Sequence, residues 1–275
     1  MMLDQRSTLS SYMTHMLSKG QAVFTSAQAQ EALSIGKGAL LDAAERQQRR
    51  KHLIRPRRDF YVIVPPQFLA WGAPPPSWYI DSLMRHEGRR YYVGLLKAAE
   101  LHGATHQAVM EFQVITDKRL STIRADRSAI VFYYRKDMDG ILSGLEDYKT
   151  DTGTMKVSCP ELTVLDLLRY PHASGGLDHI ATVFSDLGER IDPDRLVALS
   201  GGFARSVVQR LGHMLDRLGH QDTTNALFES VSQGPALPWI ELEPAQATDP
   251  DFMPDLVERD DRWNVIVRRP PEPDA

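Results

Sequence analysis

The chain has a single cysteine, Cys159, among 275 residues. That excludes an intrachain disulfide and any zinc cluster built on cysteines. Its setting, after Val157-Ser158 and before Pro160, suggests packing at a strand end rather than a reactive thiol. No uninterrupted apolar run reaches membrane-spanning length, and Met1-Met2-Leu3-Asp4-Gln5-Arg6 carries an early acid with no apolar stretch behind it. Neither a transmembrane helix nor a secretory leader is expected, and a cytoplasmic protein is. Internal repeats are lacking, and so is a Gly-x-x-x-x-Gly-Lys phosphate loop. Gly175-Gly176 and Gly201-Gly202 are bare pairs that suit helix stops.

What the chain does have is an uneven charge. Its net charge is −4, with 42% apolar and 25% charged residues, an ordinary globular composition at a length that fits about two domains. Residues 1–65 hold 10 Lys/Arg against 5 Asp/Glu, net +5, and the other 210 residues hold 22 against 31, net −9. A basic segment suits a phosphate backbone, because each neutralised phosphate releases condensed counterion. The plainer account, a solvated basic face on a surface helix, would fit an isolated charge run equally well.

The local pattern favours the first account. Residues 3–19 place Leu9, Tyr12, Met13, Met16 and Leu17 at helical spacing, and Gly20 closes the segment. Thr25 and Gln28 stand at capping-box spacing, Phe24 can staple onto Ala29, and Ala29, Ala32 and Leu33 form an apolar face. Ile35-Gly36-Lys37-Gly38 breaks this helix. Ala39 to Lys51 then predicts a second helix, with Leu40, Ala43 and Ala44 inward and Asp42, Arg46, Arg49 and Arg50 outward. Leu53-Ile54-Arg55-Pro56, Arg57-Arg58-Asp59 and Phe60-Tyr61-Val62-Ile63-Val64 follow as a two-stranded ribbon with a basic tip. Helix, turn, helix and basic ribbon in this order make a winged helix-turn-helix, with the second helix as groove reader. The candidate DNA contacts are Thr25, Ser26 and Gln28; Lys37, Asp42, Arg46, Arg49 and Arg50; and Arg55, Arg57 and Arg58 in the wing. Arg46 is the expected base reader, since the Arg fork matches guanine edges, while Arg57 and Arg58 suit phosphates or the minor groove.

Pro65-Pro66 and Pro74-Pro75-Pro76 enclose Phe68, Leu69 and Trp71, a composition that resists helix and ladder alike. Residues 67–77 are therefore read as a stiff connector, pinned by Trp71 and Trp78, between a domain at 1–66 and a larger mixed α+β domain at 78–275. In the latter, helices are expected from Ser77 or Trp78 to Glu87, Val93 to Gly103, Pro160 to Arg169, Asp178 to Leu187, Asp192 to Leu199 and Arg205 to Leu218. The last should face inward through Val207, Val208, Leu211, Met214, Leu215 and Leu218. Strands are expected at Phe112–Thr116, Ala129–Arg135, Met155–Ser158, Trp239–Leu242 and Trp263–Val267. The fold class is α/β in the broad sense, α+β in detail.

The larger domain carries no complete catalytic motif. His102 and His106 are four apart, but no Glu sits between them in a His-Glu-x-x-His pattern and Gly103 should end their helix, which favours structural histidines. Asp81, Glu111 and Gln113 faintly echo the acidic metal site of restriction-type nucleases, with Gln113 where a Lys would be needed. Ser158, Asp166 and His172 are triad residue types without the Gly-x-Ser-x-Gly elbow. Ser158 fits better as a helix N-cap or the residue before one. No catalytic residue, metal or cofactor is expected, and no membrane partner.

Three ordered motifs carry a resemblance. Tyr92-Val93-Gly94-Leu95-Leu96-Lys97-Ala98-Ala99-Glu100-Leu101-His102-Gly103-Ala104, with His106-Gln107 and Phe112-Gln113-Val114, resembles the body of AbiEi-type antitoxins of abortive-infection, phage-defence toxin–antitoxin systems. Val157 to Leu168, with Gly175-Gly176-Leu177, is similar to that family's next motif, and Arg210 to Gly219 to its late helix. The resemblance implies a non-enzymatic type IV antitoxin. Its winged helix would bind double-stranded DNA at its own promoter, and its larger domain would counter an AbiEii-type nucleotidyltransferase toxin, directly or functionally. Departures are Gln47 and Gln48 at apolar positions of the groove-reading helix, His52 at the usual glycine after it, and Asp59 for glycine at the wing tip, where Asp tolerates the left-handed conformation. Competing readings are a ligand-sensing transcriptional regulator and a nucleic-acid-processing enzyme.

Overall fold

The computed structural model describes residues 8–105, 109–243 and 258–273; His106, Gln107 and the start of the first expected helix lie outside them. Helix α1 (Leu9–Ser18) begins where Thr8 caps Ser11 and ends before Gly20, whose φ of +72° suits a residue without Cβ. A strand not foreseen, β1 (Val23–Thr25), leads into α2 (Ser26–Leu33). The capping box forms as expected: Gln28 Oε1 accepts from Thr25 N at 2.8 Å, and Thr25 Oγ1 accepts from Gln28 N at 3.3 Å. On α2, Ala29 is buried and Leu33 half-buried, but Ala32 is exposed. Ser34 turns the chain at φ +51°, and Gly36 caps α3 (Lys37–Arg49), which starts two residues before its expected first residue. Hairpin strands β2 (Leu53–Arg57) and β3 (Phe60–Ile63) complete a sheet in the order β1-β3-β2.

Helix, strand, helix, helix and hairpin enclose one core: Leu9, Met13, Phe24, Ala29, Leu40, Ala44, Leu53, Tyr61 and Ile63. This is the architecture of a winged helix. Phe24 stacks on Tyr61 with ring centroids 5.2 Å apart, and Tyr12 meets Phe24 edge-on at 5.4 Å, so α1 is held by aromatic contacts.

The proline-rich segment forms two short 3₁₀ helices, Pro66–Trp71 and Pro76–Trp78, instead of a structureless rod. Proline at the first position of a turn lacks only an N–H that would have no partner there, so the composition is compatible with a helix start. Trp78 is anchored, its Nε1 donating to Asp151 at 3.0 Å and its ring meeting Phe68 edge-on, whereas Trp71 is 63% exposed and pins nothing.

Helix α4 (Ile80–Glu87) follows, then β4 (Tyr91–Val93) and α5 (Leu95–Leu101). Val93 therefore ends a strand instead of opening a helix: Tyr91-Tyr92-Val93 are all buried, and three aromatic or β-branched residues in a row favour the pleat. Strands β5 (Glu111–Thr116), β6 (Ile123–Ala125), β7 (Ser128–Tyr134), β8 (Leu145–Thr150) and β9 (Gly153–Ser158) join β4 in the order β6-β7-β5-β4-β9-β8. β5 and β7 run parallel, and β6 pairs antiparallel with β7.

The remaining helices are α6 (Pro160–Arg169), α7 (Leu177–Leu187), α8 (Pro193–Ser200), α9 (Arg205–Arg217) and the unforeseen α10 (Gln221–Ser232). Strands β10 (Ile240–Glu241), β11 (Glu258–Asp260) and β12 (Val265–Val267) form a small sheet, β10-β12-β11. Gly175 and Gly176 open α7, with Gly176 as its N-cap, instead of stopping a helix; Gly201 does end α8. The chain divides into two compact units. The first comprises the chain up to Tyr92 with Met110–Lys136 and Asp147–Lys156; the second comprises Val93–Val109, Asp137–Glu146 and the chain from Val157. The proline-rich segment runs within the first.

In the second unit, α6 is buried from Glu161 to Leu168, with α5, α7, α8 and α9 packed against it. Val93 pairs with Val157, and His102 Nε2 lies 2.7 Å from the Ser158 carbonyl. The first two sequence motifs thus meet in space. Ser158 precedes the N-cap and shares a hydrogen bond with Thr163. Cys159 is the cap: its buried Sγ accepts from Leu162 N at 3.5 Å, and burial pushes its thiol pKa up to about 12, an inert packing residue.

Candidate nucleic-acid interface

Helix α3 divides its residues by exposure. Leu40, Ala44 and Gln47 are buried and Ala43 partly so, while Lys37, Asp42, Glu45, Arg46, Arg49 and Arg50 are exposed. Gln47 occupies the inner face, one turn on from Ala44, where an apolar residue is the usual choice. Arg49 donates to Glu45 at 2.6 Å along the helix, an exposed pair worth a few tenths of a kcal/mol, roughly, and easily exchanged for another anion. The helix leaves through Lys51, at φ +59°, and not through His52. Lys51 Nζ then reaches Asp126 Oδ2 at 2.9 Å.

The wing tip is the two-residue turn Arg58-Asp59, with Asp59 at φ +58°. Asp59 is more than a substitute for glycine. Its carbonyl accepts from Ser26 N at 3.0 Å, and its carboxylate accepts from Ser26 Oγ at 2.9 Å, so the tip is tied twice to the first residue of α2. That hydroxyl bond, together with the nearby cations Lys37, Arg58 and Arg55, holds the Asp59 carboxyl below its ordinary pKa. Ser26 is consequently buried. Thr25 is half-buried with its hydroxyl in the capping box, and Gln28 is exposed beside it.

The three wing arginines have different surroundings. Arg58 is 81% exposed and 3.5 Å from Asp59, free to reach outward. Arg55 is exposed, with its guanidinium over the Tyr61 ring at 5.6 Å and 3.8 Å from the Asp59 carboxylate. Arg57 is only 18% exposed: it donates to the Ser121 carbonyl at 2.6 Å, pairs with Glu87 at 3.5 Å and lies over the Phe132 ring at 5.5 Å. Burial lowers its pKa and Glu87 opposes that shift. Nearby, the Phe60 and His86 rings lie 5.2 Å apart and His86 Nε2 is 3.0 Å from the Arg58 carbonyl.

The Ser158 hydroxyl is engaged with Thr163 Oγ1 at 2.7 Å. Asp81 is held by Arg85 and by the Tyr91 hydroxyl at 3.1 Å. Among the described residues, no three His, Cys, Asp or Glu side chains converge as a metal site. No helix among them is long and apolar enough to cross a membrane.

Sequence reasoning missed the Asp59–Ser26 tie, the enclosure of Arg57 and the link from Lys51 to Asp126. Each joins residues far apart in the chain, and only the left-handed tolerance of Asp59 was legible beforehand.

An exposed basic helix beside a basic hairpin gives the N-terminal part of the chain the form of a winged helix. Residues 92–217 match the AbiEi antitoxin C-terminal domain, and in this span the chain is similar to the AbiEi-type antitoxins. The matched span contains the first two sequence motifs and Arg210–Arg217 of the third. Among solved structures, the crystal structure of the RV2827C protein from Mycobacterium tuberculosis is similar. It has a TM-score of 0.67 at 17% identity, over 96% of this chain and 93% of that one, a likeness of fold. No curated protein matches the sequence.

Proposed function

We propose that the protein is a DNA-binding antitoxin that represses its own operon through the winged helix and counteracts a nucleotidyltransferase toxin through the larger domain. It acts in the cytoplasm and has no catalytic activity of its own. The observation that carries the DNA half is the free outer face of α3, where Lys37, Asp42, Arg46, Arg49 and Arg50 are exposed while the opposite face is locked in the core. A helix held in this way can enter a major groove as a rigid body. In this reading Arg46 contacts a base edge, and Lys37, Arg49, Arg50, Arg55 and Arg58 serve phosphates, with Thr25, Gln28 and Asp42 at the margin. Ser26 and Arg57 position the wing. Residues 1–66 carry recognition, 67–77 join the parts, and 78–275 carry the antitoxin function.

The test is operator binding. Arg46→Ala should relax discrimination at one base position, costing about 1–3 kcal/mol there, while Arg58→Ala should weaken all sequences alike. Electrophoretic shifts on the DNA upstream of the gene, with single-base substitutions, read both. Arg46→Ala that bound every sequence as the parent does would remove α3 from the groove.

The metabolite-sensing alternative has one observation in its favour. A cleft of about 580 Å³ in the first unit is lined by Thr25, Gln28, Ser82, Arg85 and His86, next to the start of α2.

A further inference from the structure

The winged helix has a second basic hairpin beside it. β6 and β7 pair with Ala125 opposite Ser128, leaving Asp126-Arg127 as a two-residue turn, and Asp126 adopts φ +52°. The wing is built alike: a two-residue turn of one Arg and one Asp, the Asp left-handed and its carboxylate anchored, the Arg exposed. Asp59 is anchored to Ser26 at the start of α2, and Asp126 is anchored to Lys51 at the exit of α3, at 2.9 Å. Lys51 holds the Asp126 carboxyl below its ordinary pKa. Gly72, at φ +72°, makes room: a Cβ there would fall 2.5 Å from an Asp126 carboxylate oxygen. Arg57 grips the base of the same hairpin through Ser121 and Phe132. With both Asp residues occupied, Arg124 and Arg127 remain exposed.

Charge points the same way. The first compact unit holds 21 Lys/Arg against 12 Asp/Glu, net +9, and the second holds 11 against 24, net −13. Four of the nine net positive charges therefore lie outside residues 1–65. Residues 110–136, which contain the hairpin, supply three of them, with 6 Lys/Arg against 3 Asp/Glu.

We infer that the β6–β7 turn is a second wing, which holds the phosphate backbone of duplex DNA through Arg124 and Arg127 while Lys51–Asp126 fixes it to the exit of the recognition helix. This rests on the DNA-binding reading above and extends its contact surface beyond the winged helix. Phosphate contacts carry no sequence information, so the second wing adds affinity and salt dependence without changing the preferred site.

The experiment uses the full chain and two duplexes, the region upstream of its own gene and a random sequence of equal length. Fluorescence anisotropy is recorded from low to moderate salt, with a nuclease footprint on the first duplex. Arg124→Ala with Arg127→Ala should bind both duplexes more weakly, with a log–log salt slope shallower by about two, and should shorten the footprint on one side. Arg124→Lys with Arg127→Lys should restore the slope, since a phosphate accepts a point charge. Parent-like slope and footprint in the double alanine variant, with the parent binding its upstream DNA, overturn the second wing and leave the winged-helix reading standing. A parent that bound neither duplex would overturn both.

Discussion

Gly212 sits in the middle of α9, where propensity alone favours alanine by about 0.5–1 kcal/mol. The packing decides otherwise. A Cβ at this position would lie 2.2 Å from Trp263, whose ring is fully buried and whose Nε1 donates to Asp216 at 2.7 Å. Gly212→Ala must push the indole from its place, and overpacking of this kind costs about 1–3 kcal/mol, more than the helix gains. We expect a net loss of stability, read as a lower midpoint in thermal or urea unfolding. An unchanged or raised midpoint would mean that the indole yields freely. The glycine was visible in the third motif, but its reason lies 51 residues further on.

Elements join through a few polar ties, and one of them predicts a pH dependence. His213 on α9 and Asp260 at the end of β11 meet at 2.7 Å between Nδ1 and Oδ2, with His213 buried. Burial of Asp260 opposes its ionisation, but the His213 hydrogen bond and the backbone N–H groups of Trp263 and Arg262 outweigh it, and its pKa lies below the ordinary value. A depressed carboxyl contributes stability that is fully present above the unfolded value, about 3.9, and is lost as pH falls through the folded one. Asp260→Asn should therefore be less stable than the parent near neutrality, with the gap in unfolding midpoint closing in acid below about pH 4. A gap that stayed constant to pH 2 would show that ionisation of Asp260 contributes nothing. At this scale the sequence was a good guide wherever periodicity or capping spoke. α6 matches its expected bounds, α8 starts at the Asp192 cap, and α9 buries Val207, Val208, Leu211, Met214 and Leu215, with Leu218 only half-buried. β1, β6 and β11 are three residues long, too short for alternation to register.

For the whole molecule, the charge division at +9 and −13 is sharper than the +5 and −9 legible from the chain order, because the first unit gathers three separate stretches. The opposed charges suit one unit to phosphate and make the other a poor DNA binder. Point variants therefore separate the proposed functions more cleanly than truncation. Arg46→Ala in the full chain should derepress a promoter reporter while still protecting cells from the partner toxin. Loss of both activities together would tie toxin protection to DNA binding and end the proposed division. A fragment of residues 1–66 should still bind DNA, but with a shallower salt slope than the full chain and a lower unfolding midpoint, since Phe60 and Arg57 lose His86, Glu87 and Phe132.

The sequence by itself determined the winged helix, its core and the outer face of α3. Those features rest on spacing within a turn or two of helix, on a capping box and on a short basic tip between two strands, all of which are local. It also carried the first two motifs and most of the third, which the family match covers. Only the tertiary structure decided which of the three wing arginines is enclosed. Arg55, Arg57 and Arg58 are equivalent as letters, yet a carbonyl at Ser121, a carboxylate at Glu87 and a ring at Phe132 enclose one of them, and Asp59 leaves another exposed. Local pattern can place a charge on a hairpin; whether a partner 64 residues away has already taken it depends on how distant segments pack.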